Sequence, residues 1–460
     1  MLLLQVLAIT ITSSLAFRAH PPIFRPFIHA VDDVSAPSSV CTPAARGPAR
    51  RRRVITSATA LGAGQGAVQQ EAKVGVLLLN LGGPTSADDV EGFLYNLFAD
   101  PDIIRLPPYL SLLQKPLAKI ISSRRAPKSK AAYNAIGGGS PIVKYTRAQA
   151  SGVEERMRQR GFKGSKAYVA MRYWHPFTEE ALQEMEKDGV NTLVVLPLYP
   201  QFSISTSGSS LRVLREAFLK DVNKWGPKTL RHTVVPAWYD RRGYVEAVGS
   251  LVRNEISQYS QHQVEEEGVH VLFSAHGVPQ SYIAAGDPYQ RHVQECVSLI
   301  EKEYQDMGVT THLSYQSRVG PIEWLRPYTE DMIPELGQSG VKNLVVVPIS
   351  FVSEHIETLE EIDIEYRELA EENGVTNWRR VPALNTDGAF LDDLADLCTQ
   401  ALSDPAISIS ESCSQNNVDL EEGPLQKVFT SDNIMTALGA GAVWLDVLFG
   451  KGIASLLGVQ

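Results

Sequence analysis

One segment of the chain occurs twice. Pro176-Phe-Thr-Glu-Glu-Ala-Leu-Gln-Glu-Met-Glu-Lys-Asp-Gly-Val-Asn-Thr-Leu-Val-Val-Leu-Pro-Leu198 aligns without gaps on Pro327-Tyr-Thr-Glu-Asp-Met-Ile-Pro-Glu-Leu-Gly-Gln-Ser-Gly-Val-Lys-Asn-Leu-Val-Val-Val-Pro-Ile349. The segments that open each copy also correspond, Val76-Leu-Leu-Leu-Asn-Leu-Gly-Gly-Pro84 with Val271-Leu-Phe-Ser-Ala-His-Gly-Val-Pro279. Each copy runs from a short apolar strand through a helix to a second β-branched run, which is the order of a parallel sheet with right-handed crossovers. The pattern predicts an α/β protein of two similar Rossmann-like lobes, 73–245 and 246–400, with an active-site cleft between them. Ligands in such folds sit outside the carboxyl ends of strands. Strands are expected at Val74–Leu79, Lys166–Arg172 and Thr192–Leu198, and helices at Ser86–Ala99 and Phe177–Asp188.

A duplicated chain carries its own control. Where the first copy has Leu81, Ile204 and Thr206, the second has His276, His355 and Glu357. The fold does not require titratable groups at these strand ends, so they are candidates for chemistry. Glu357, Glu361 and Glu365 follow at the i, i+4, i+8 spacing that forms one stripe of an α-helix, on a stretch with no Lys or Arg between Lys342 and Arg367. Two readings stand for this row: a solvated acidic face, or a file of oxygen ligands and proton acceptors for a divalent cation headed by an imidazole. Leu106-Pro-Pro-Tyr-Leu-Ser-Leu-Leu113 fits either a core segment or an exposed lip. Gly137-Gly-Gly-Ser-Pro141 has the look of a phosphate loop but lacks the spacing and the Lys that phosphate binding needs.

Charge narrows the partners. The net charge is −9, which argues against nucleic acid. The first 70 residues run the other way, with seven Arg against Asp32 and Asp33. They begin with an apolar Leu2–Ile11 core and continue past Ala16-Phe17 into an Arg-, Ser- and Pro-rich stretch. That order predicts a bipartite targeting presequence over 1–70, a signal peptide followed by a transit-like segment, with a simple secreted protein as the competing reading. The four Cys have no C-x-x-C spacing and predict no disulfide framework.

The motifs His276 in Ser274-Ala-His-Gly-Val-Pro279, Ser353-Glu-His-Ile-Glu-Thr-Leu-Glu-Glu-Ile-Asp363, Leu79-Asn-Leu-Gly-Gly-Pro84, Ile136-Gly-Gly-Gly-Ser-Pro141, Met171-Arg-Tyr173 and Tyr199-Pro-Gln201 together resemble ferrochelatase over about 74–398. The resemblance implies a chelatase-like fold and insertion of ferrous iron into protoporphyrin IX, the last step of protohaem synthesis. It implies His276 and Glu357 as the catalytic pair, one taking pyrrole protons and one handling metal, with the assignment open. It implies His276, Glu357, Glu361 and Glu365 as metal-handling residues. Arg125, Lys128, Tyr133 and Ser140 would contact the porphyrin near its propionates, Arg172 and Tyr173 would lie on the metal-side wall, and His355 would line the substrate site. Fe²⁺ would be a substrate, with no tightly bound cofactor. A [2Fe–2S] cluster on four Cys, found in some members, is not expected: only Cys296, Cys398 and Cys413 lie outside the presequence. A non-catalytic two-lobed binding protein and a cobalt or nickel chelatase are the alternatives.

The resemblance points to the plastid type, whose C-terminal helix would follow a polar linker over 403–423. Ile434–Leu457 is long enough to span a bilayer. Asp446 costs about 2.5–3.5 kcal/mol at mid-membrane, while each Leu, Ile, Val or Phe returns about 0.3–0.6 kcal/mol. As an isolated span the tail, 424–460, is therefore close to balance, and the expectation is a membrane helix that anchors the protein in the plastid thylakoid or envelope, with a soluble amphipathic tail as the alternative.

Overall fold

The computed structural model describes residues 72–403 except 102, 105, 107, 320 and 321. The presequence, the linker beyond Ser403, the apolar tail and Cys413 lie outside the described residues. The described part forms two four-stranded sheets, with strand orders β2-β1-β3-β4 and β6-β5-β7-β8. The first comprises β1 (Val74–Asn80), β2 (Lys166–Met171), β3 (Thr192–Pro197) and β4 (Arg231–Val234). The second comprises β5 (Val269–His276), β6 (Thr310–Gln316), β7 (Asn343–Pro348) and β8 (Asn377–Arg380). Every pairing is parallel. The duplication read from the sequence is thus a duplication of topology, and the expected strands agree with the observed ones to within a residue.

Such sheets must be covered on both faces, so their strands read as unbroken apolar runs. All seven residues of β1 are buried. Val76 and Leu78 face one core, while Leu77 and Leu79 face another. The first core is common to the two lobes: Val76, Leu78 and Leu196 pack in the same cluster as Val271, Phe273 and Val347. Around the sheets run α1 (Val90–Ala99), α2 (Gln114–Ala135), α3 (Ile142–Gln159), α4 (Thr178–Asp188), α5 (Ser209–Lys220), α6 (Arg242–Ile256), α7 (Tyr289–Glu301), α8 (Thr329–Gln338) and α9 (Gly388–Ser403). The boundary expected at 245/246 falls inside α6. α9 returns from the second lobe to lie against α3 and α6, where Arg160 pairs with Asp396 at 2.7 Å and Arg241 with Asp393 at 2.7 Å.

Two sequence expectations are resolved by local geometry. The Gly137-Gly138 pair is the C-terminal cap of α2. Gly138 N–H donates to the Tyr133 carbonyl at 2.8 Å and Gly137 N–H to the Asn134 carbonyl at 3.2 Å. This Schellman arrangement is made with φ values of 107° and 96° that favour glycine. The segment Pro108–Leu113 is a 3₁₀ turn. Leu112 is 90% exposed, and Leu113, Ile103 and Ile120 are also exposed, so this edge is a lip and not core.

Glu354, which stands among the acids after β7, belongs to the framework. Its carboxylate accepts from Arg380 Nη1 at 2.9 Å and from Ala383 N–H at 3.0 Å, with Thr358 Oγ1 as a third donor. Glu354 is buried and Arg380 nearly so. Removing the carboxylate takes away the closest counter-charge of Arg380, leaving Asp363 at 3.4 Å, and the acceptor of Ala383 N–H and Thr358 Oγ1. Glu354→Ala is expected to lower the unfolding free energy by about 3–5 kcal/mol in urea titration. A loss under about 1 kcal/mol, the size of an exposed pair, would show that this tie carries no structural weight.

Candidate active site

In the order β6-β5-β7-β8 the chain reverses its direction of sheet-building between β5 and β7, and the crevice at their carboxyl ends is the expected ligand site. His276 is the last residue of β5. The segment after β7 runs through Phe351 and His355 into Glu357, the first residue of a helix at Glu357–Tyr366. The fold thus brings together side chains 81 residues apart: His276 Nδ1 lies 2.9 Å from Glu357 Oε2. His355 Nδ1 is 3.1 Å from the Ser353 carbonyl, which fixes that nitrogen as the N–H. Its Nε2 lies 3.8 Å from Glu357 Oε2 and, though buried, has no hydrogen-bond partner among the described residues. Phe351 packs edge-on to His276 at 6.0 Å and tilted on His355 at 4.1 Å between centroids.

Burial alone would depress the His276 imidazolium. The facing carboxylate of Glu357 outweighs it and holds His276 above its ordinary value. Burial alone would raise Glu357, but His276, with help from His355, holds that carboxyl far below the carboxylate range. Each group therefore favours the charged form of the other, with Glu357 as the hydrogen-bond acceptor.

The acidic row differs from the α-helical stripe expected for it. Glu357–Tyr366 is a π-helix, whose hydrogen bonds run i→i+5. Vertical neighbours are five apart, and Tyr366 Oη accordingly donates to Glu361 Oε1 at 2.9 Å. Glu361 also accepts from Ser317 Oγ at 2.8 Å and Gln316 Nε2 at 3.2 Å. Burial first, and the charge of Glu357 second, push its carboxyl up to about 7. Glu365 is exposed, 4.0 Å from Lys128 Nζ. Among the described residues no group of three or more His, Cys, Asp or Glu is arranged so as to hold a metal ion. His276, Glu357, Glu361 and Glu365 form a row that leads from the half-buried pair to the exposed Glu365.

The first lobe supplies the opposite side. Tyr133, near the end of α2, is buried, and its phenol is raised by burial and by the charge of Glu357. It packs with Tyr173 and Ile356. Arg125 and Lys128 are exposed on the same helix, Arg125 with its guanidinium 5.6 Å above the Phe98 ring. Ser140 lies half-buried just beyond the cap of α2, its N–H bonded to the Pro84 carbonyl at 2.7 Å. Arg172 and Tyr173 are drawn away from open space: both bond Asp100 Oδ2, at 2.5 Å and 2.7 Å. Their polar ends serve this buried carboxylate, and only the Tyr173 ring reaches the wall beside Tyr133.

Gln316, Ser317, Tyr366 and Phe351 escaped the sequence reading. A signal existed for the first two. Gln316-Ser317 ends β6 where Met171-Arg172-Tyr173 ends β2, so the comparison of strand ends that found His276 applies to them as well. Tyr366 carries no such signal, because i,i+5 contacts have no meaning on an α-helix.

A family profile described as Ferrochelatase matches residues 73–402. The chain is 55% identical over 341 residues to Ferrochelatase-2, chloroplastic, of Arabidopsis thaliana, covering 73% of this chain and 64% of that protein. It thus spans less than two thirds of the length of that plant relative. With the Ferrochelatase of Nostoc sp. (strain PCC 7120) it is 49% identical over 397 residues, 84% of this chain and 99% of that one. Among solved structures, SirB from Bacillus subtilis with Fe3+ aligns at a TM-score of 0.39 and 13% identity, over 76% of this chain and 99% of that one.

The raised Glu361 has a consequence for stability. Its folded value, about 7, exceeds the ordinary 4.5 of a free glutamate, so between these values the folded state binds more protons than the unfolded one. Stability from this group is present below pH 4.5 and lost as pH rises through 7. Glu361→Gln is expected to flatten that fall and to be more stable than wild type at pH 8, by on the order of 1–3 kcal/mol. Parallel pH–stability curves for the two proteins would show that Glu361 titrates normally.

Proposed function

The chain belongs to the ferrochelatase family, and on that premise we propose that it is an iron chelatase that inserts Fe²⁺ into protoporphyrin IX, yielding protohaem and two protons. The observation that carries the reading is the half-buried His276–Glu357 pair, 2.9 Å apart, at strand ends where the other copy of the repeat has Leu81 and Thr206.

Metal insertion requires two pyrrole N–H protons to leave and a dication to arrive at the same four nitrogens. An imidazole–carboxylate pair at the ring centre serves the first need, since an acceptor must lie within hydrogen-bond reach of the proton it takes. Glu361, poised near 7, accepts and passes on a proton close to neutral pH. Glu365, at the exposed end of the row, opens the path to solvent. Ferrous iron uses the same oxygens in the inward direction, as substrate. Tyr133, Ile356, Phe351 and His355 form an apolar and aromatic surround for a flat macrocycle, while the exposed cations Arg125 and Lys128, with Ser140, meet its propionates. Arg172 and Tyr173 act from behind this wall through Asp100.

The assay follows the Soret band as anaerobic Fe²⁺ is mixed with protoporphyrin, with coproporphyrin and with Co²⁺ or Ni²⁺ in parallel. Wild type is expected to convert protoporphyrin with Fe²⁺. His276→Ala is expected to fold and to lose turnover. Glu357→Gln should lower kcat by 10²-fold or more at nearly constant porphyrin affinity, whereas Arg125→Ala should chiefly raise KM. Porphyrin binding without turnover by wild type would overturn the enzyme reading in favour of a carrier. The same kinetic pattern in both variants would overturn the division into ring centre and rim.

We further propose a plastid location with membrane association, reached through the bipartite presequence. Several plant relatives carry the word chloroplastic in their names, one of them as chloroplastic/mitochondrial. The exposed edge of Ile103, Leu112, Leu113 and Ile120 offers an apolar surface beside the helix that bears Arg125. Among the described residues no helix is long and apolar enough to cross a membrane, so a spanning anchor would be the tail, 424–460. Residues 1–70 fused to a fluorescent protein should reach the plastid of an alga with a secondary plastid. Carbonate washing should release a chain ending at Gly423 more readily than the full chain. A mitochondrial signal, or equal release, would refute the corresponding half of this proposal.

A further inference from the structure

An imidazole at a strand end is only as well placed as the main chain that carries it. The β5–β7 ladder stops at Ser274 and Pro348, two residues short of His276. On the other edge the β5–β6 ladder runs on to His276, in register with Gln316, but the polar groups that His276 itself turns toward β7 are met by hydroxyls. Its N–H donates to Ser350 Oγ at 2.8 Å. Its carbonyl accepts from Tyr289 Oη at 2.9 Å. The two hydroxyl oxygens are 2.7 Å apart.

Counting protons closes the circuit. A carbonyl only accepts, so the single phenol proton of Tyr289 is committed to His276. The Ser350 hydroxyl must then donate to Tyr289 Oη, while its oxygen accepts from His276 N–H. The result is a ring in which each hydroxyl donates once and accepts once, and both backbone polar groups of one residue are satisfied. Tyr289 and Ser350 are 4% and 6% exposed, so water does not compete freely for these bonds. The ring is itself anchored. Asp287 Oδ1 accepts the Tyr289 N–H at 3.0 Å, and Oδ2 accepts from Ser203 Oγ and Ile204 N–H of the first lobe at 2.8 Å and 2.9 Å.

The repeat again supplies a control. At the equivalent position the Leu81 N–H donates to the side chain of its neighbour Asn80 at 2.8 Å, and its carbonyl accepts the Tyr173 N–H at 3.0 Å. No hydroxyl ring surrounds it. The ring is found in the copy that carries the imidazole.

We propose that Ser350 and Tyr289 are positioning residues: their hydroxyl ring clamps the backbone of His276 so that its imidazole stays in register with Glu357. The inference rests on the iron-insertion reading above. Small misplacements of a reacting group cost rate more than binding. Ser350→Ala and Tyr289→Phe should each lower kcat about 10- to 100-fold, with KM and porphyrin fluorescence quenching unchanged within about twofold. Because either variant opens the same ring, the double variant should be no slower than the slower single one. Ser350→Thr, which keeps the hydroxyl, should retain wild-type kcat, while Ser350→Cys should not. That Thr/Cys comparison carries the test if the truncated variants do not fold.

Folded Ser350→Ala and Tyr289→Phe turning over at the wild-type rate would overturn the proposal. So would rate losses that multiply in the double variant, or a Thr variant no better than Cys. A wild-type chain that binds porphyrin but inserts no iron would overturn the earlier reading as well. Active wild type with indifferent variants overturns only this one.

Discussion

Parallel strands cannot face water on either side, and most of this architecture follows from that requirement. Each sheet has to be roofed twice, and the two lobes meet it jointly: β1 and β3 of the first share a core with β5 and β7 of the second. α9 then ties the halves by packing back on α3 with half-exposed ion pairs. The lobes are therefore not hinged bodies with separate interiors. Chemistry is confined to the places where buried strands end, and the crevice beyond β5 and β7 is the one that carries titratable groups from both.

Within that crevice, environment drives two carboxylates of one helix apart in proton affinity. His276 holds Glu357 far below the carboxylate range, while burial and the neighbouring charge push Glu361 up to about 7. Under the proposed iron insertion, groups separated in this way would take acid and base duties. The donors around Glu361 come from β6 and from the far end of its own helix. Behind them a buried file of hydroxyls runs from Ser314 through Thr329 and Ser274 to Gln316. Ser274 donates to the amide oxygen of Gln316, which leaves the amide nitrogen for Glu361.

Much of this was legible in the residues, and the reasons are particular. Apolar runs doubly buried in a parallel sheet are hard to mistake, so β1, β2 and β3 could be bounded to about a residue. His276 and Glu357 stood out because the chain prints a version of itself without them. The shape of the acidic helix was not legible. A period read on side chains assumes 3.6 residues per turn, and nothing in Glu357–Tyr366 announces i→i+5 bonding. The diversion of Arg172 and Tyr173 to Asp100 was equally hidden, since that carboxylate is 72 residues away in sequence. The glycines at 137 and 138 carried a loop signal whose meaning, a helix cap, depended on which carbonyls lay below them.

The wide turn after β7 has a counterpart: Ile204–Gly208, after β3, is also a π-helix, although it bears no acid. The acid-free copy shows that the broadened turn does not depend on carboxylates. In evolutionary terms, the shape is more simply ascribed to the ancestral unit than to the reaction. Duplication would have left two wide turns free to diverge, one staying short and uncharged, the other lengthening to ten residues and gathering charge. The first lobe then preserves, in its own coordinates, something close to the blank on which the site was written.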